Sequence, residues 1–332
     1  MKAMLMMAPG GPDVLQAADV AMPEPGPRDL LVQVKAAGVN PLDTKVRKLH
    51  MFYPNVLPVI LGCDGAGTVE AVGREVTRFR PGDDVYFFDG GLGSAPGSYA
   101  TFTRVHEDYA ARKPSSLSMV EAAAVPLVLI TAWEALIERA DLQPGETVLI
   151  HAGAGGVGHI AIQLAKQRGA RVASTVSGNA KAALVESLGA ERAIDYVRHD
   201  FVQQTLEWTG GKGADVVFDT VGGPTFCESF AAARLYGRLA TLLSTGCPLP
   251  QINKARMRNI TVAYVQMTTP LFLAHHEQRC RQTRILEAGA RLFDEGKLRI
   301  EVGRVMPLAE AAAAHALVEE GHTTGKVVLQ VE

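Results

Sequence analysis

The sequence predicts an α/β fold in which a doubly wound parallel sheet accompanies a second domain of short β-strands. Three observations carry this. An apolar run, Val148-Leu149-Ile150, enters a glycine-rich turn and then a stretch where Ile160, Ala161, Leu164 and Ala165 recur at helical spacing. Beyond it, apolar runs alternate with helical patterns to about residue 265, as crossovers onto a parallel sheet require. Before it, short β-like runs are cut by Pro25-Gly26, Pro81-Gly82, Gly90-Gly91 and Pro96-Gly97, the punctuation of a barrel-like domain.

Taken in order, Leu30, Val32 and Val34 alternate with Leu31, Gln33 and Lys35, and Gly67–Gly73 and Asp84–Phe88 read as further strands. Ser118 and Glu121 form a capping box that opens a helical region to Ala140. With the strand at 147–151, the runs Val172–Val176, Ala193–Ile194, Val216–Phe218, Leu239–Leu243 and Ile260–Val265 give the six strands of a doubly wound sheet. A long helix is expected over Leu273–Glu295, followed by strands Ile300–Val305 and Lys326–Val331 that return to the first domain.

The 332 residues suit about two domains, and 47% hydrophobic with 20% charged residues is ordinary for a globular chain. A net charge of −2 sets up no field for nucleic acid or an anionic membrane. No apolar run approaches the roughly 20 residues that span a bilayer, and the N-terminus has too short an apolar run for a signal peptide. The four cysteines, Cys63, Cys227, Cys247 and Cys280, form no C-x-x-C pair, so neither a disulfide framework nor a zinc knuckle is expected and a reducing cytoplasm fits.

Gly153, Gly155 and Gly158 fill G-x-G-x-x-G between strand and helix, the context a dinucleotide site needs. The first glycine turns the chain, the second lets a pyrophosphate approach, and the third allows close packing. The intervening Ala154, Gly156 and Val157 line the same turn, whose helix N-terminus holds phosphates. An NAD-type site carries an acid about 20 residues further on. Here the next strand ends in Ser177-Gly178-Asn179, with Lys181 just beyond and Tyr196 after the following strand, so NADP(H) is expected, its 2′-phosphate near Ser177, Lys181 and Tyr196.

The chain resembles the medium-chain dehydrogenase/reductase superfamily, specifically the zinc-free quinone oxidoreductases related to ζ-crystallin. The resemblance rests on blocks in family order: Gly38–Asp43, Leu61–Gly73, Phe79–Asp83, Pro126–Trp133, His151–Gly158, Asp219–Gly223 and Gly325–Leu329. It implies a GroES-like β-barrel substrate domain from residues 1–123 and 270–332, and a Rossmann NADP(H)-binding domain over 124–269. It also implies that Asn40 and Thr131 contact the nicotinamide and substrate, that Val221, Gly222, Leu243 and Ser244 border the cofactor, and that Lys326 approaches from the C-terminal segment. Tyr53 and Tyr264 align with tyrosines that donate a hydrogen bond to a developing oxyanion. With Asn40 they form the expected catalytic set; water is the alternative proton source. Asp43 and Asp64 read as structural acceptors of backbone amides, and His151 as a satisfied core histidine.

The zinc-dependent relatives place Cys where this chain has Asn40, and His and Glu where it has Cys63 and Asp64; their third ligand falls near apolar Leu127–Val128. Catalytic zinc needs three protein ligands around an open position. No metal is therefore expected, there or elsewhere in the chain. His276 and Cys280, at i and i+4, form another pair, but no third ligand is evident in the sequence and they read as part of a solvated helix face. Without a Lewis acid the hydride acceptor must already be electrophilic, as quinones and α,β-unsaturated ketones are. The competing readings are a zinc-independent alcohol or aldehyde dehydrogenase, and a low-turnover NADPH-binding structural or RNA-binding protein of the crystallin kind. The resemblance further implies a homodimer, or a tetramer, joined through the β-rich Ile260–Val265 segment.

Overall fold

The computed structural model describes residues 1–49, 51, 56–92, 95–243 and 246–331. Two compact units divide the chain, Met1–Leu127 with Thr268–Glu332, and Val128–Met267.

The first unit holds strands β1 (Lys2–Met6), β2 (Leu15–Asp19), β3 (Asp29–Val39), β4 (Val59–Ile60), β5 (Asp64–Val72), β6 (Asp84–Phe88), β7 (Phe102–His106) and β8 (Ala110–Arg112). The second holds β9 (Thr147–Ile150), β10 (Arg171–Val176), β11 (Arg192–Asp195), β12 (Ala214–Asp219), β13 (Ala233–Thr241) and β14 (Thr261–Tyr264). The chain then re-enters the first unit with β15 (Val302–Pro307) and β16 (Lys326–Gln330).

In the first unit a three-stranded sheet, β2-β1-β4, accompanies a seven-stranded sheet in which β15-β16-β3-β5-β6-β8 run in order and β7 also pairs with β3. The organising strand is β3. Its alternating Leu30, Val32 and Val34 are buried, and Leu30 and Val32 pack with Val69, Val85, Phe87 and Val105 in one apolar cluster. Antiparallel pairing of β16 to β3 sets Val327 opposite Val39, which brings Lys326 beside Asn40 across 286 residues of sequence.

In the second unit all six strands are parallel, in the order β11-β10-β9-β12-β13-β14. From β9 the chain steps outward through β10 and β11, then returns to the other side at β12. Right-handed crossovers with this reversal place helices on both faces and leave a crevice at the carboxyl ends of β9 and β12. Leu149, Ala173, Ile194, Val217 and Leu239 from five of the strands pack with Phe226 and Phe230 of helix Gly223–Ala232.

The structure corrects several boundaries. The helical region after Ser118 is two helices, Met119–Ala123 and Pro126–Trp133, continued by a π-helical turn over Glu134–Arg139. The Ser118–Glu121 capping box is present. The long helix is His276–Asp294 and does not begin at Leu273, because Ala274 adopts φ +48° and His275 caps the first turn by accepting from the Gln278 amide. β13 is longer than the apolar run suggests, since it starts directly from the preceding helix. The cysteines are also corrected: Cys227 and Cys247 are joined by a disulfide, leaving Cys63 and Cys280 free. Sequence spacing alone does not show that the helix carrying Cys227 and the segment after β13 converge. No helix among the described residues is long and apolar enough to cross a membrane.

Candidate active site

The glycine turn is built by its neighbours on β10. Ala152, at φ +51°, donates its amide to Thr175 Oγ1 at 3.0 Å, and Gly153 N donates to Thr175 O at 3.1 Å. A Cβ on Gly153 would fall inside the Ser174 hydroxyl, which donates to Ile150 O at 2.9 Å. A Cβ on Gly158 would run into Ala152 O and lie 2.7 Å from Gly153 Cα. Gly155 differs, because its Cβ would meet only Ala152 O, at 3.2 Å. Glycine there keeps space open rather than relieving crowding, which is what an approaching pyrophosphate needs. Helix Gly158–Gln167 starts behind Val157, which supplies no capping side chain, so the first-turn amides and the helix dipole are presented without one. Ala154 is buried in the turn, whereas Gly156 and Val157 are half-buried.

At the end of β10, Ser177 is half-buried and Gly178, at φ +83°, opens helix Asn179–Ser187, which carries Lys181. Tyr196, 48% exposed, is held to this strand end by its amide on Val176 O at 3.1 Å. Sequence reading missed two neighbours here: Asp195, which ends β11, and Arg198, whose Nε lies 3.5 Å from its carboxylate. Residues 177–179 carry no acid, so this end of the site fits a 2′-phosphate better than a bare ribose hydroxyl.

The crevice edge is organised by Asp219, fully buried at the end of β12. Its Oδ1 accepts from the amides of Val221 at 3.0 Å and Gly222 at 2.9 Å, and its Oδ2 from the Thr241 hydroxyl at 2.7 Å. Thr241 in turn accepts from Leu243 N at 3.2 Å. Val221, Gly222 and Leu243 are thus held by one carboxylate that sequence reading left as part of a motif. Thr131 is buried in helix Pro126–Trp133. Tyr264 ends the edge strand β14, three strands from β9 and 60% exposed. Tyr53 and Ser244 lie outside the described residues.

His151 is a buried, neutral histidine: its Nδ1 is 3.2 Å from Thr175 Oγ1 and its Nε2 2.9 Å from Ser229 Oγ, and burial pushes its pKa down to about 4. The folded state therefore stays unprotonated while the unfolded chain takes up a proton below about 6.5, so this residue's contribution is lost as pH falls from there toward 4. His151→Gln, which still hydrogen-bonds but does not titrate, is expected to be less stable than the parent at pH 7. Urea unfolding should show that gap closing by more than about 1 kcal/mol at pH 5, since each pKa unit is worth about 1.4 kcal/mol.

In the first unit, Asn40, Asp43, Cys63, Asp64 and Lys326 form one buried polar cluster. Asn40 follows β3 and precedes the helix Pro41–Leu49, whose Asp43 Oδ2 accepts from Asn40 N at 2.9 Å. Asn40 Nδ2 donates to Asp64 Oδ1 at 2.9 Å and to Asp43 Oδ2 at 3.2 Å, and its Oδ1 accepts from Lys326 Nζ. Lys326 Nζ also donates to Val39 O at 3.1 Å. Asp64 Oδ2 accepts from Leu127 N at 3.2 Å. The structural reading of both acids agrees with these amide contacts. Burial raises the Asp43 pKa to about 7, with a further push from Asp64; it also raises that of Asp64 and holds the Cys63 thiol well above its usual value.

This donor set does not fit a catalytic metal. Asn40 is committed to Asp43, Asp64 and Lys326, and the buried Lys326 ammonium already supplies the local cation. The Asn40 and Lys326 head groups are hydrogen-bonded to each other within this cluster.

Residues 26–115 match the alcohol dehydrogenase GroES-like domain, and 188–329 the domain described as zinc-binding dehydrogenase. A quinone oxidoreductase of Pseudomonas aeruginosa is 36% identical over 96% of both chains. A solved NAD-dependent alcohol dehydrogenase is 36% identical, with a TM-score of 0.90 over the whole of both chains. The Escherichia coli quinone oxidoreductase complexed with NADPH is 31% identical, with a TM-score of 0.87 over 99% of this chain and 100% of that one. Through likeness along nearly its whole length, the chain belongs to the medium-chain dehydrogenase/reductase superfamily, in its quinone oxidoreductase subfamily.

Proposed function

We propose that this protein is an NADPH-dependent reductase that delivers hydride to quinones or α,β-unsaturated ketones without zinc. The observation that carries the reading is the buried Asn40–Asp64–Lys326 cluster, whose donors are spent on each other and on an ammonium. With no Lewis acid in that position, the acceptor has to be electrophilic on its own. NADPH, when bound, supplies the hydride.

The turn Gly153 to Gly158 holds the pyrophosphate through the amides of Ala154 and of Gly156 to Gly158, those of Gly153 and Gly155 being spent on Thr175 O and Ala152 O, and Ser177, Lys181 and Tyr196 take the 2′-phosphate. Thr131, Val221, Gly222, Leu243 and Ser244 border the nicotinamide, with Asp219 fixing the loop that carries two of them. Asn40 and Lys326 stiffen the end of β3. Proton delivery falls to Tyr53 or to water. Tyr264, exposed on an edge strand, fits an interface better than a proton donor.

That edge supports a homodimer. A groove of about 1270 Å³ runs beside β14, lined by Ile252, Met257, Ile260, Val262 and Tyr264, and pairing a second copy edge to edge covers it. A cytoplasmic location goes with this reading; the Cys227–Cys247 bond is the feature that speaks against it.

Stopped-flow reduction of 1,4-benzoquinone and 9,10-phenanthrenequinone with both cofactors tests the proposal. NADPH is expected to be preferred at least tenfold, and Lys181→Ala to lose about tenfold of that preference, the size of one charge-assisted contact. Preference for NADH, or ethanol oxidation that EDTA abolishes, would instead support the alcohol dehydrogenase reading suggested by one solved relative.

A further inference from the structure

From the first unit we infer that Asp108, His276 and Cys280 form a binding site for a divalent zinc ion, separate from the Asn40 cluster. On helix His276–Asp294 the spacing i, i+4 puts His276 and Cys280 on one face. The missing third ligand comes from the single 3-10 turn Glu107–Tyr109. Asp108, His276 and Cys280 each turn one ligand atom inward, all within 4.8 Å of one another, and among the described residues no other set of three or more His, Cys, Asp or Glu does so.

The separations suit the ion. His276 Nε2 lies 3.5 Å from Cys280 Sγ and 3.6 Å from Asp108 Oδ2. Zinc bonds of about 2.0 to 2.3 Å at tetrahedral angles put neighbouring ligand atoms about 3.3 to 3.6 Å apart. Thiolate, imidazole and carboxylate together are a set that borderline-soft Zn²⁺ takes and that hard Mg²⁺ or Ca²⁺ does not.

A second observation points the same way. The Tyr109 hydroxyl sits 2.9 Å from His276 Nδ1, leaving Nε2 to face Cys280 and Asp108. An oxygen on the far nitrogen is the usual device that orients a metal-binding histidine. The turn is tied to the helix independently of any ion, since Thr283 Oγ1 donates to Asp108 O at 2.8 Å. Three protein ligands leave the fourth position to water. Asp108 Oδ2 also lies 3.2 Å from Arg28 Nη2, and Asp108 Oδ1 3.9 Å from Arg78 Nη1, so the ion has to share that carboxylate with two guanidinium groups. Binding is therefore expected in the micromolar range rather than at the strength of a dedicated structural site.

Tag-free protein, stripped with chelator and dialysed, is titrated with Zn²⁺ by calorimetry and with Co²⁺ by absorbance. The expected result is one equivalent per chain, with a thiolate-to-cobalt charge-transfer band and the visible bands of tetrahedral cobalt. Cys280→Ser should abolish the charge-transfer band, and both it and His276→Gln should weaken Zn²⁺ binding at least tenfold. Tyr109→Phe should weaken it about tenfold with the fold intact by circular dichroism. No stoichiometric binding, or binding of unchanged strength in both ligand variants, overturns the inference. None of these readouts depends on turnover, so they stand apart from the proposed reductase activity.

Discussion

Gly155→Val is expected to raise the dissociation constant for NADPH at least a hundredfold while moving the thermal midpoint by less than about 2 °C. The asymmetry follows from what surrounds each glycine of the turn. At 155 an added Cβ meets one atom, Ala152 O, at 3.2 Å, so the fold accommodates it with a small shift. The added methyls occupy the space in front of the half-buried turn, where the pyrophosphate must approach the backbone. A misplacement of about 1 Å in such a site costs about a hundredfold, or roughly 2.7 kcal/mol. Gly158→Ala should behave oppositely in stability. Its Cβ would press on Ala152 O and Gly153 Cα, backbone atoms that cannot swing away, and overpacking of this kind costs about 1 to 3 kcal/mol. Fluorescence titration with NADPH beside thermal unfolding separates the two. If Gly155→Val unfolds early and binds normally, the turn is structural and the nucleotide lies elsewhere.

Local signals made most of the second unit legible in the sequence. Val148–Ile150, the three glycines and the helical spacing after them are contiguous, and each fixes a backbone geometry within a few residues. Six apolar runs became six strands because a parallel sheet covered on both faces makes each run continuously apolar. Boundaries slipped where one element feeds the next without a breaker, as where Ala232 ends a helix and Ala233 begins β13.

What stayed hidden depends on pairing across the chain. Nothing near Asp108 in sequence announces His276, and the third metal ligand appears only once a 3-10 turn packs on a helix 168 residues further on, counting from Asp108 to His276. Cys227 and Cys247 failed the spacing test for the same reason. Asp219 and Thr175 look like ordinary strand-end residues. Their work is to accept amides from the loop at 221–222 and from Ala152, visible only when the crevice is assembled. Asn40 and Lys326 were found by resemblance, but their mutual bond rests on β16 lying against β3.

That bond is the basis of the second large effect: Lys326→Met should destabilise the protein by about 3 to 5 kcal/mol, the usual result of removing one partner from a buried ionic cluster. The side chain volume is nearly kept, so the loss is electrostatic. Two buried carboxylates, Asp43 and Asp64, remain without the ammonium that lowers the pKa of both. The sign of the pH dependence follows. In the parent, the pKa of Asp43 is raised to about 7 from an ordinary 3.8, so its stabilising contribution is complete below 3.8 and is lost as pH rises through 7. Without Lys326 the pKa of each acid moves higher still, and the loss continues above pH 7, where the parent's contribution has levelled off. The destabilisation measured by urea unfolding should therefore be larger at pH 8.5 than at pH 6. Adding Asp43→Asn to Lys326→Met removes one of the two acids left without the ammonium and, at pH 8.5, should recover about 0.5 to 3 kcal/mol relative to simple addition of the single effects. A Lys326→Met penalty that is flat with pH and additive with Asp43→Asn would mean the ammonium serves only as packing. The reading of Lys326 as the local cation of the Asn40 cluster would then have no electrostatic basis.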